Sequence, residues 1–424
     1  MNAGLMLIIL MLVLSLLGVP IGFALGVASI VPMLLSGMPL MVIPQKMFVG
    51  MDSIPLLAIG FFMLAGNLMA GGINTKIINL SNALFGWVKG SLAAITVVAS
   101  AIFASISGSG VATVAAIGGT TIPAMIKEGY PGPFAAAVAS FSAILGPLIP
   151  PSVFLIVYGA STETSIGKLF MAAFIPGIML VFCILAYSLI YARVNNFPSY
   201  EPMPPKQILG VVLDSGWACF MPILILGGIF FGIVTTTEAA NISAVYALVV
   251  SVCVYKDIKV KDLPKIFSDS ALSTCTVMIL LAFAKPASWI IVRSKLPNVV
   301  LDFFMNVTSS PWVMLFMINI LLLIVGMIME GNCAIVMLAP LLLPLIKAMG
   351  MDPIHFGVIM ALNLCIGLVT PPVGSCLLLG NTIADQPLEQ TLKQILPLIA
   401  IGLCVLALVT YVPAFSLWLP SLAK

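Results

Sequence analysis

Long apolar stretches fill most of the chain, and short polar segments separate them. The stretches run roughly over residues 4–36, 54–72, 77–105, 110–126, 134–159, 168–193, 216–255, 271–292, 311–329, 332–349, 354–384 and 391–419. Residues 5–17 and 398–408 are apolar on nearly every helical face, which is typical of membrane helices and not of the alternating strands of a membrane β-barrel. At ~20 residues per span, the length allows on the order of a dozen spans. The pattern therefore predicts an all-α polytopic membrane protein.

The composition agrees with a lipid bilayer as the surroundings of the chain. Of 424 residues, 62% are hydrophobic and 7% are charged, whereas soluble domains carry roughly 25% charged residues. Soluble enzymes and nucleic-acid-binding proteins are therefore excluded, and a net charge of +3 is too small to indicate a polyanionic partner. The eight cysteines lie in apolar surroundings without a Cys-x-x-Cys pair, which argues against a zinc or dithiol centre.

Three further segments bear on the boundaries and the membrane orientation of the chain. Residues 1–35 lack the basic start and the cleavage site of a signal peptide, so we expect a retained helix there. Residues 194–215 are rich in asparagine and proline and predict an exposed connector. The basic cluster of Lys256, Lys259, Lys261 and Lys265 is expected on the cytoplasmic face by the positive-inside rule.

The two halves of the chain contain an internal repeat. At one constant offset and without a gap, Gly110 coincides with Gly331, Pro123 with Pro344, Gly129 with Gly350, Gly146 with Gly367, Pro150 with Pro371, Pro151 with Pro372, and Gly159 with Gly380. Glycine and proline set turns and breaks in the backbone, so the coincidences predict two units with the same helix interruptions. Repeated halves with interrupted helices are typical of secondary transporters that bind their substrate near the bilayer midplane.

Each unit begins with a short turn inside an apolar region. The turns are residues 105–110 (SISGSG) and 330–333 (EGNC). Each predicts the tip of a re-entrant helical hairpin, where glycine permits the reversal and polar side chains satisfy freed backbone groups. The alternative is a patch of small residues at which two helices pack closely. Glu330 and Asn332 would then be an unexplained cost within the membrane.

A proline pair follows each tip, in residues 146–152 (GPLIPPS) and 367–374 (GLVTPPVG). Consecutive prolines lack N–H donors and push the preceding residue out of helical geometry, so each pair predicts a broken helix. Carbonyls freed inside a bilayer must line a cavity or hold an ion, and such oxygen ligands suit Na⁺. Two structural kinks are the alternative interpretation.

Other polar residues are candidates for anion binding or for a structural role. Helix N-termini after the tips and breaks would offer free N–H groups to an anion. Arg293 fits either a substrate carboxylate or a lipid headgroup, and Ser165 fits either a hydroxylated substrate or a polar loop. Thr235 and Glu238 have the spacing of a capping box, and His355 fits a structural position at a helix start. A Walker loop is absent from the sequence, so we expect an ion gradient as the energy source.

Taken together, these motifs resemble the large membrane subunit of the tripartite ATP-independent periplasmic (TRAP) transporters. The similar segments are residues 105–118, 129–130, 146–152, 158–159, 235–240 and 352–372, and the likeness spans essentially the whole chain. It implies an inverted-repeat, elevator-type secondary transporter of the bacterial inner membrane, driven by Na⁺ and not an enzyme. It also implies two partners, a periplasmic substrate-binding protein and a small four-helix membrane subunit, the latter expected as a separate polypeptide.

The resemblance further implies where the ions and the substrate bind. One Na⁺ site is expected at Ser105, Ser107, Gly108, Ser109, Gly146, Ile149 and Pro150. The other is expected at Gly331, Asn332, Cys333, Gly367, Val369 and Thr370. Expected substrate contacts are Ser165, Arg293, Ser109, Asn332, Pro151 and Pro372. The chain departs from the family at 109–113 (SGVAT), where Ser-Ser-x-Ala-Asp is frequent, and at Asn241, where alanine is usual.

These implications define the domain organisation and the function that we expect. Scaffold helices are predicted over 1–76, a first transport region over 77–193, a connector with scaffold helices over 194–270, a second transport region over 271–390 and a C-terminal helix over 391–424. The predicted function is Na⁺-coupled uptake of a small carboxylate, with sialic acid as the first candidate. A C4-dicarboxylate transporter and a proton-coupled carrier that uses Glu330 or Glu238 are the alternatives. An ion channel would also use carbonyl-bearing breaks.

Overall fold

A computed structural model describes residues 2–70, 73–197, 203–308 and 310–422, and this part of the chain is helical without a β-strand. The helices of the first half are α1 (Ala3–Leu16), α2 (Ile21–Leu35), α3 (Val42–Met51), α4 (Ile54–Met69), α5 (Ile73–Phe85), α6 (Ser91–Ser107), α7 (Gly110–Thr113), α8 (Gly119–Lys127), α9 (Gly132–Ala143), α10 (Val153–Thr162) and α11 (Ile166–Val194). The helices of the second half are α12 (Pro205–Phe230), α13 (Thr236–Val249), α14 (Leu263–Arg293), α15 (Leu296–Val307), α16 (Pro311–Ile328), α17 (Gly331–Ala348), α18 (Pro353–Gly367), α19 (Ser375–Ala384), α20 (Leu388–Tyr411) and α21 (Ala414–Leu422). A π-helical turn (Val114–Gly118) joins α7 to α8, so that Gly110–Lys127 is one helical arm.

The helices have the lengths that a membrane protein requires. Within the described residues, eight helices are long and apolar enough to cross a bilayer, and the pair α3–α4, bent by 60°, is a ninth candidate. The expected retained helix at the N-terminus is divided into α1 and α2, because Gly18 takes a left-handed conformation and Pro20 follows it. The expected single C-terminal helix is likewise divided, since Pro413 separates α20 from α21. The connector over 194–215 is only partly confirmed, because α12 already begins at Pro205; residues 198–202 of the connector lie outside the described residues.

The internal repeat predicted from the sequence is confirmed by the helix boundaries. At the same offset that aligns Gly110 with Gly331, α6 corresponds to α16, the arm Gly110–Lys127 to α17, α9 to α18, α10 to α19 and α11 to α20. The correspondence extends upstream, where the bent pair α3–α4 matches α14 and α5 matches α15. Both predicted tips are breaks between two helices, and both proline pairs lie in non-helical segments.

The first hairpin, formed by α6 and the arm Gly110–Lys127, has both of its ends at the C-terminal end of α11. Gly90, which precedes α6, contacts Ala192 of α11. The ring of Tyr130, which follows the second arm, packs against the ring of Phe197 just after α11, with ring centroids 4.1 Å apart. The chain therefore enters and leaves this hairpin on one face of the protein.

The second hairpin, formed by α16 and α17, begins and ends on the opposite face. The Tyr411 hydroxyl, at the end of α20, donates a hydrogen bond of 3.3 Å to the carbonyl of Trp312 at the start of α16. The Tyr158 hydroxyl, near the end of α10, donates one of 2.8 Å to the carbonyl of Pro353, which follows α17. Because α10 leads directly into the N-terminal end of α11, the two hairpins enter from opposite ends of that helix, and the repeats are inverted.

The distribution of basic residues orients the fold. The ends of the first hairpin carry Lys89 and Lys127, and Arg193 ends α11 nearby. The basic cluster at 256–265 lies on the same face, because the Tyr255 hydroxyl bonds the carbonyl of Asp214 in the first half of α12 at 2.7 Å. By the positive-inside rule this face is cytoplasmic, and the second hairpin enters from the periplasmic face.

The two broken helices, α9–α10 and α18–α19, lie at the centre of the protein. Residues 134–143 of α9 and 355–367 of α18 are all buried, as expected for helices that are apolar on every side. In each repeat both arms of the hairpin pack against the broken helix. Each tip is thereby held beside the break that follows it.

Candidate functional site

The tip of the first hairpin is a short turn stabilised by its own side chains. Gly108 ends α6 in the left-handed conformation, with φ of 62°. Ser109 then caps the second arm, because its hydroxyl accepts the N–H of Ala112 at 3.4 Å. The Thr113 hydroxyl donates to the Ser109 carbonyl at 2.7 Å and lies 3.4 Å from the Ser107 hydroxyl. Three hydroxyl groups thus surround a turn whose backbone is only partly hydrogen-bonded.

The first break lies directly against this tip. A Cβ added to Gly108 would lie 2.6 Å from the carbonyl oxygen of Pro151, and one added to Gly146 would lie 2.6 Å from the carbonyl carbon of Ser109. Such distances leave no space for a methyl group, so both glycines are required for the approach. Ser152 caps α10, and its hydroxyl is also bonded to the Pro147 carbonyl across the break.

The tip of the second hairpin is capped by Glu330. Its carboxylate accepts the N–H of Cys333 at 3.2 Å and the side-chain amide of Asn332 at 2.8 Å. Glu330 is the equivalent of Ser109 in the repeat, and both residues cap the third residue of the following arm. The side-chain oxygen of Asn332 is buried and has no hydrogen-bond partner among the described residues.

The second break lies against the end of α16, just before the second tip. A Cβ added to Gly367 would lie 2.5 Å from the carbonyl of Gly326. The N–H of Val373 donates to the carbonyl of Met327 at 3.2 Å. Across the repeats, Gly331 at the second tip contacts the ring of Phe154, and Gly110 at the first tip lies against Cys376. The two tips and the two breaks are therefore packed into one assembly.

A cavity of about 110 Å³ lies at the centre of this assembly. Its walls come from both tips, both breaks and one neighbouring helix, and they comprise Met63, Gly108, Ser109, Gly110, Val111, Pro147, Val153, Phe154, Glu330, Asn332, Leu368 and Ser375. Four helical segments begin at this cavity, namely the arm Gly110–Lys127, α10, α17 and α19. The free N–H groups and the positive dipole ends of these helices favour an anion.

The same region also collects the opposite helix ends. Helices α6, α9, α16 and α18 all end at a tip or a break, and the last carbonyls of a helix lack intrahelical partners. These carbonyls, the hydroxyls of Ser107 and Thr113 and the unpartnered oxygen of Asn332 are ligands that a hard cation accepts. The described residues contain no cluster of histidine, cysteine and acidic side chains that would suit a transition metal.

The structure brings together some of the predicted ion ligands and separates others. Ser107, Gly108, Ser109 and Gly146 meet at the first tip, and Gly331, Asn332 and Cys333 meet at the second. The Ser105 hydroxyl instead donates to Ile102 of its own helix, and Ser105 and Ile149 line an apolar groove on the far side of α6. Pro150 is buried within the first break, and Val369 is buried within the second. The Thr370 hydroxyl donates to the Ile366 carbonyl at 2.7 Å.

The predicted substrate contacts are also divided between places. Ser109 and Asn332 line the central cavity, and Pro151 reaches the first tip through its carbonyl. Ser165 lines a separate cleft of about 620 Å³ at the far end of α10, toward the periplasmic face. Arg293 lies on neither of these cavities, because its guanidinium stacks over Trp289 at 5.2 Å on the exposed end of α14. Pro372 is exposed in the second break.

Two predicted structural roles are confirmed, and some site residues were missed. Thr235 and Glu238 form the predicted capping box. His355 is buried near the start of α18, where it is hydrogen-bonded to Ser416 at 2.5 Å. Thr113, Ser152, Met63 and Phe154 also lie at the site, although the sequence predicted no ion or substrate contact for them. Glu330 lies at the second tip, as predicted from the EGNC turn. Aligning Ser109 with Glu330 in the repeat would also have indicated that Glu330 caps the arm that follows the tip.

Comparison with known families gives a match over nearly the whole chain. The model described as "Tripartite ATP-independent periplasmic transporter, DctM component" matches residues 8–415. A C4-dicarboxylate TRAP transporter large permease protein of Pseudomonas aeruginosa is 39% identical over 377 residues, which are 89% of this chain and 88% of that protein. A sialic acid TRAP transporter large permease protein of Vibrio cholerae is 34% identical over 407 residues, 96% of this chain and 95% of that protein.

A longer relative and a solved structure complete the comparison. The isethionate TRAP transporter permease protein DctMQ of Oleidesulfovibrio alaskensis is 39% identical over 404 residues, 95% of this chain. This chain spans 64% of the length of that relative. The crystal structure of the YdaH transporter of Alcanivorax borkumensis has a similar fold, with a TM-score of 0.63 over 86% of both chains at 14% sequence identity.

Proposed function

The chain belongs to the DctM family of tripartite ATP-independent periplasmic transporters, and from this premise we propose that it imports a small organic carboxylate driven by a Na⁺ gradient. The family consists of inner-membrane permeases and not of enzymes. The substrate is delivered by a soluble periplasmic binding protein, and a small four-helix membrane subunit completes the transporter. Sialic acid is the first substrate candidate and a C4-dicarboxylate is the alternative; named relatives exist for both.

The convergence of four helix N-termini on one cavity is the observation that supports an anionic substrate. Gly110, Val153, Asn332 and Ser375 each lie at the start of a helical segment, and all four line the central cavity. A carboxylate there would accept N–H groups whose hydrogen bonds are not used within the helices. This arrangement needs no basic side chain at the cavity. Carboxylates and sulfonates of different shape would bind by the same principle, in agreement with the isethionate, C4-dicarboxylate and sialic acid named for the relatives.

The ends of the other four helices support Na⁺ as the coupling ion. We propose that one Na⁺ lies between the first tip and the first break, where Ser107, Thr113 and the carbonyl of Pro151 supply oxygen ligands. The second Na⁺ lies between the second tip and the second break, where the Asn332 oxygen is available. Bound cations would neutralise the carbonyl ends of the helices and strengthen the attraction of the cavity for a carboxylate. Substrate affinity and Na⁺ affinity are then coupled.

The inverted repeat supports an elevator mechanism for this transport. We propose that the two hairpins and the two broken helices move as one body, because glycine contacts pack tips and breaks directly on one another. Helices α1–α5 and α12–α15 then form the scaffold. This scaffold includes the helices of the two scaffold regions predicted from the sequence, and it adds α14 and α15 because they are the repeat equivalents of α3–α5. Moving the whole assembly carries the tips, the breaks and the space between them from the periplasmic side to the cytoplasmic side, while Met63 stays with the scaffold helix α4.

Uptake into proteoliposomes tests the proposal. The chain is reconstituted with its small subunit, and radiolabelled sialic acid is presented with its binding protein under an inward Na⁺ gradient or under K⁺. We expect uptake only when Na⁺ and the binding protein are both present. If sialic acid fails and a C4-dicarboxylate with its own binding protein succeeds, the substrate assignment changes and the mechanism stands. Uptake that is indifferent to Na⁺ would refute the coupling.

A matched pair of variants tests the first ion site. Ser107→Ala removes a hydroxyl from the first tip and is expected to raise the half-saturating Na⁺ concentration. Thr120→Ala is the control: it removes an exposed hydroxyl of the second arm, which donates only to the Ala116 carbonyl at 3.5 Å. This variant is expected to keep the half-saturating Na⁺ concentration of the unmodified protein. Equal Na⁺ dependence in both variants would contradict the assignment of Ser107 to the site.

Proton coupling through Glu330 is the second candidate, because its carboxylate lines the central cavity. A proton-coupled carrier predicts that Glu330→Gln abolishes uphill uptake and that Na⁺ has no effect on the unmodified protein. Our proposal predicts Na⁺-driven uptake by Glu330→Gln. Comparing the two gradients in the same vesicles separates the candidates.

A further inference from the structure

A polar segment of α14 has no part in the function proposed above. Within the first half of this spanning helix stand Ser268, Asp269, Ser270, Ser273, Thr274 and Thr276. Facing it is Asn67, a polar side chain in the otherwise apolar helix α4, whose amide donates to the Ser270 hydroxyl at 2.9 Å. Polar side chains in membrane helices are costly and usually line a polar pathway. The place where these residues meet therefore requires a function.

A second cavity of about 120 Å³ lies between this polar pair of helices and the first tip. Its lining comprises Met63, Gly66, Asn67, Ala70, Phe103, Ser107, Ser109, Ala112 and Ser273. Met63 and Ser109 also line the central cavity, so the two cavities adjoin at these side chains. From the centre of the protein, a polar route thus leads past Met63 to Asn67 and to the exposed residue Ser273.

The corresponding place in the second repeat is filled. At the offset of the repeat, the equivalents of Met63, Gly66 and Asn67 are Ala284, Ala287 and Ser288 of α14. Both alanines are 2% exposed, and α14 packs directly against α17, the second arm of that hairpin. The two repeats therefore differ in this respect, since α14 packs on the second hairpin at positions whose equivalents in α4 line the second cavity.

The route points toward the cytoplasmic face. Asn67 lies near the end of α4, and its partner Ser270 lies in the first third of α14, whose first turn includes Lys265 of the basic cluster. The first hairpin also enters from this face. An anion that leaves the central cavity past Met63 would approach a surface of positive potential.

We propose that this second cavity is the passage by which the carboxylate and Na⁺ leave the central cavity for the cytoplasm. The inference rests on the proposed function. Neutral dipoles in the passage replace part of the water that the moving ions lose, and they bind weakly enough to permit release. The side chains that supply them are Asn67, Ser107, Ser109 and Ser273. Met63 separates the two cavities with a flexible side chain that can move aside during passage. Asn67 is thus a positioning residue of the release pathway, held in place by Ser270.

Filling the passage from the scaffold side tests the proposal. Ala70 lines the second cavity and does not line the central one. The series Ala70→Ser, Ala70→Leu and Ala70→Trp fills the second cavity progressively. Leu57→Trp is the control, because it adds the same indole ring at a position of α4 that is 55% exposed. Net uptake by the reconstituted transporter is measured together with the rise in melting temperature on adding Na⁺.

We expect net uptake to fall in the order of side-chain volume, by at least tenfold for Ala70→Trp, while the Na⁺-dependent rise in melting temperature persists. Leu57→Trp should transport at the rate of the unmodified protein. Uptake by Ala70→Leu and Ala70→Trp at that rate would overturn the passage. If Ala70→Trp does not fold, net uptake by Ala70→Leu is the deciding measurement. If Ala70→Leu lost the Na⁺-dependent rise in melting temperature, the proposed separation of the passage from the ion sites would be overturned. Absence of Na⁺-dependent uptake by the unmodified protein would instead refute the proposed function.

Discussion

Gly146→Ala provides a direct test of the contact between the first tip and the first break. A methyl carbon at Gly146 would lie 2.6 Å from the carbonyl carbon of Ser109, 2.7 Å from its oxygen and 2.9 Å from the nitrogen of Gly110. All three are backbone atoms that cannot rotate away. Ordinary contact begins at 3.4 Å, so tip and break must separate by about 0.8 Å, the difference between 3.4 and 2.6 Å.

The cost of this separation can be converted into an expected change in Na⁺ affinity. Inserting a methyl group into a well-packed interior costs about 1–3 kcal/mol. If the cost falls on the arrangement that holds Na⁺, the half-saturating Na⁺ concentration rises by about 5- to 150-fold, since each 1.4 kcal/mol is a factor of ten. The assay is the initial rate of uptake into proteoliposomes as a function of external Na⁺.

Gly119→Ala is the matched control for this measurement. Gly119 lies on the second arm of the same hairpin, and an added Cβ would have no neighbouring atom within 4 Å. Alanine stabilises a helix relative to glycine by up to about 1 kcal/mol. The Gly119→Ala variant should therefore keep the half-saturating Na⁺ concentration of the unmodified protein. A Gly146→Ala variant that folds and keeps the half-saturating Na⁺ concentration of the unmodified protein would refute the reasoning, because the tip would then not be part of an ion site.

Two further predictions concern helix caps, both measured as melting temperatures in detergent. Glu330→Ala removes the acceptor of the Cys333 N–H and should cost about 1 kcal/mol of stability. Glu330→Gln retains an acceptor oxygen, so its melting temperature should lie closer to that of the unmodified protein. Equal melting temperatures of the two variants would exclude a capping role. Thr235→Ala removes the hydroxyl that accepts the Glu238 N–H at 3.3 Å and should also cost about 1 kcal/mol. Thr236→Ala, one residue further, is its control, and an equal loss in both variants would contradict the capping interpretation.

The backbone interruptions could be predicted from the sequence because they depend on local chemistry. Each of the pairs Pro150–Pro151 and Pro371–Pro372 removes two consecutive N–H donors and pushes the preceding residue out of helical geometry, and Gly108 permits a left-handed turn at little cost. The single offset that aligns the glycines and prolines of the two halves also aligns their helices. The capping box at Thr235 is equally local, since both partners lie within one helical turn.

The direction of individual side chains could not be predicted in the same way. Ser105 and Ser107 are two residues apart on α6, so they project roughly 200° apart around a helix of 3.6 residues per turn. Ser107 meets the first tip, whereas Ser105 faces the apolar groove. Proximity along the sequence suggested one site for both hydroxyls. The rotation of α6 against its neighbours separates them.

The membrane environment, the duplicated architecture, the positions of tips and breaks and the resemblance to TRAP transporters could all be predicted from the sequence. These follow from hydropathy and from residues whose backbone preferences do not depend on context. The fold was needed to show that the starts of four helices meet at one cavity, that Glu330 and Asn332 lie there with Ser109, and that Arg293 does not. It also showed that a second polar cavity lies between the first tip and the helices α4 and α14. Such properties depend on how distant helices pack, and packing is a long-range outcome that a local pattern does not encode.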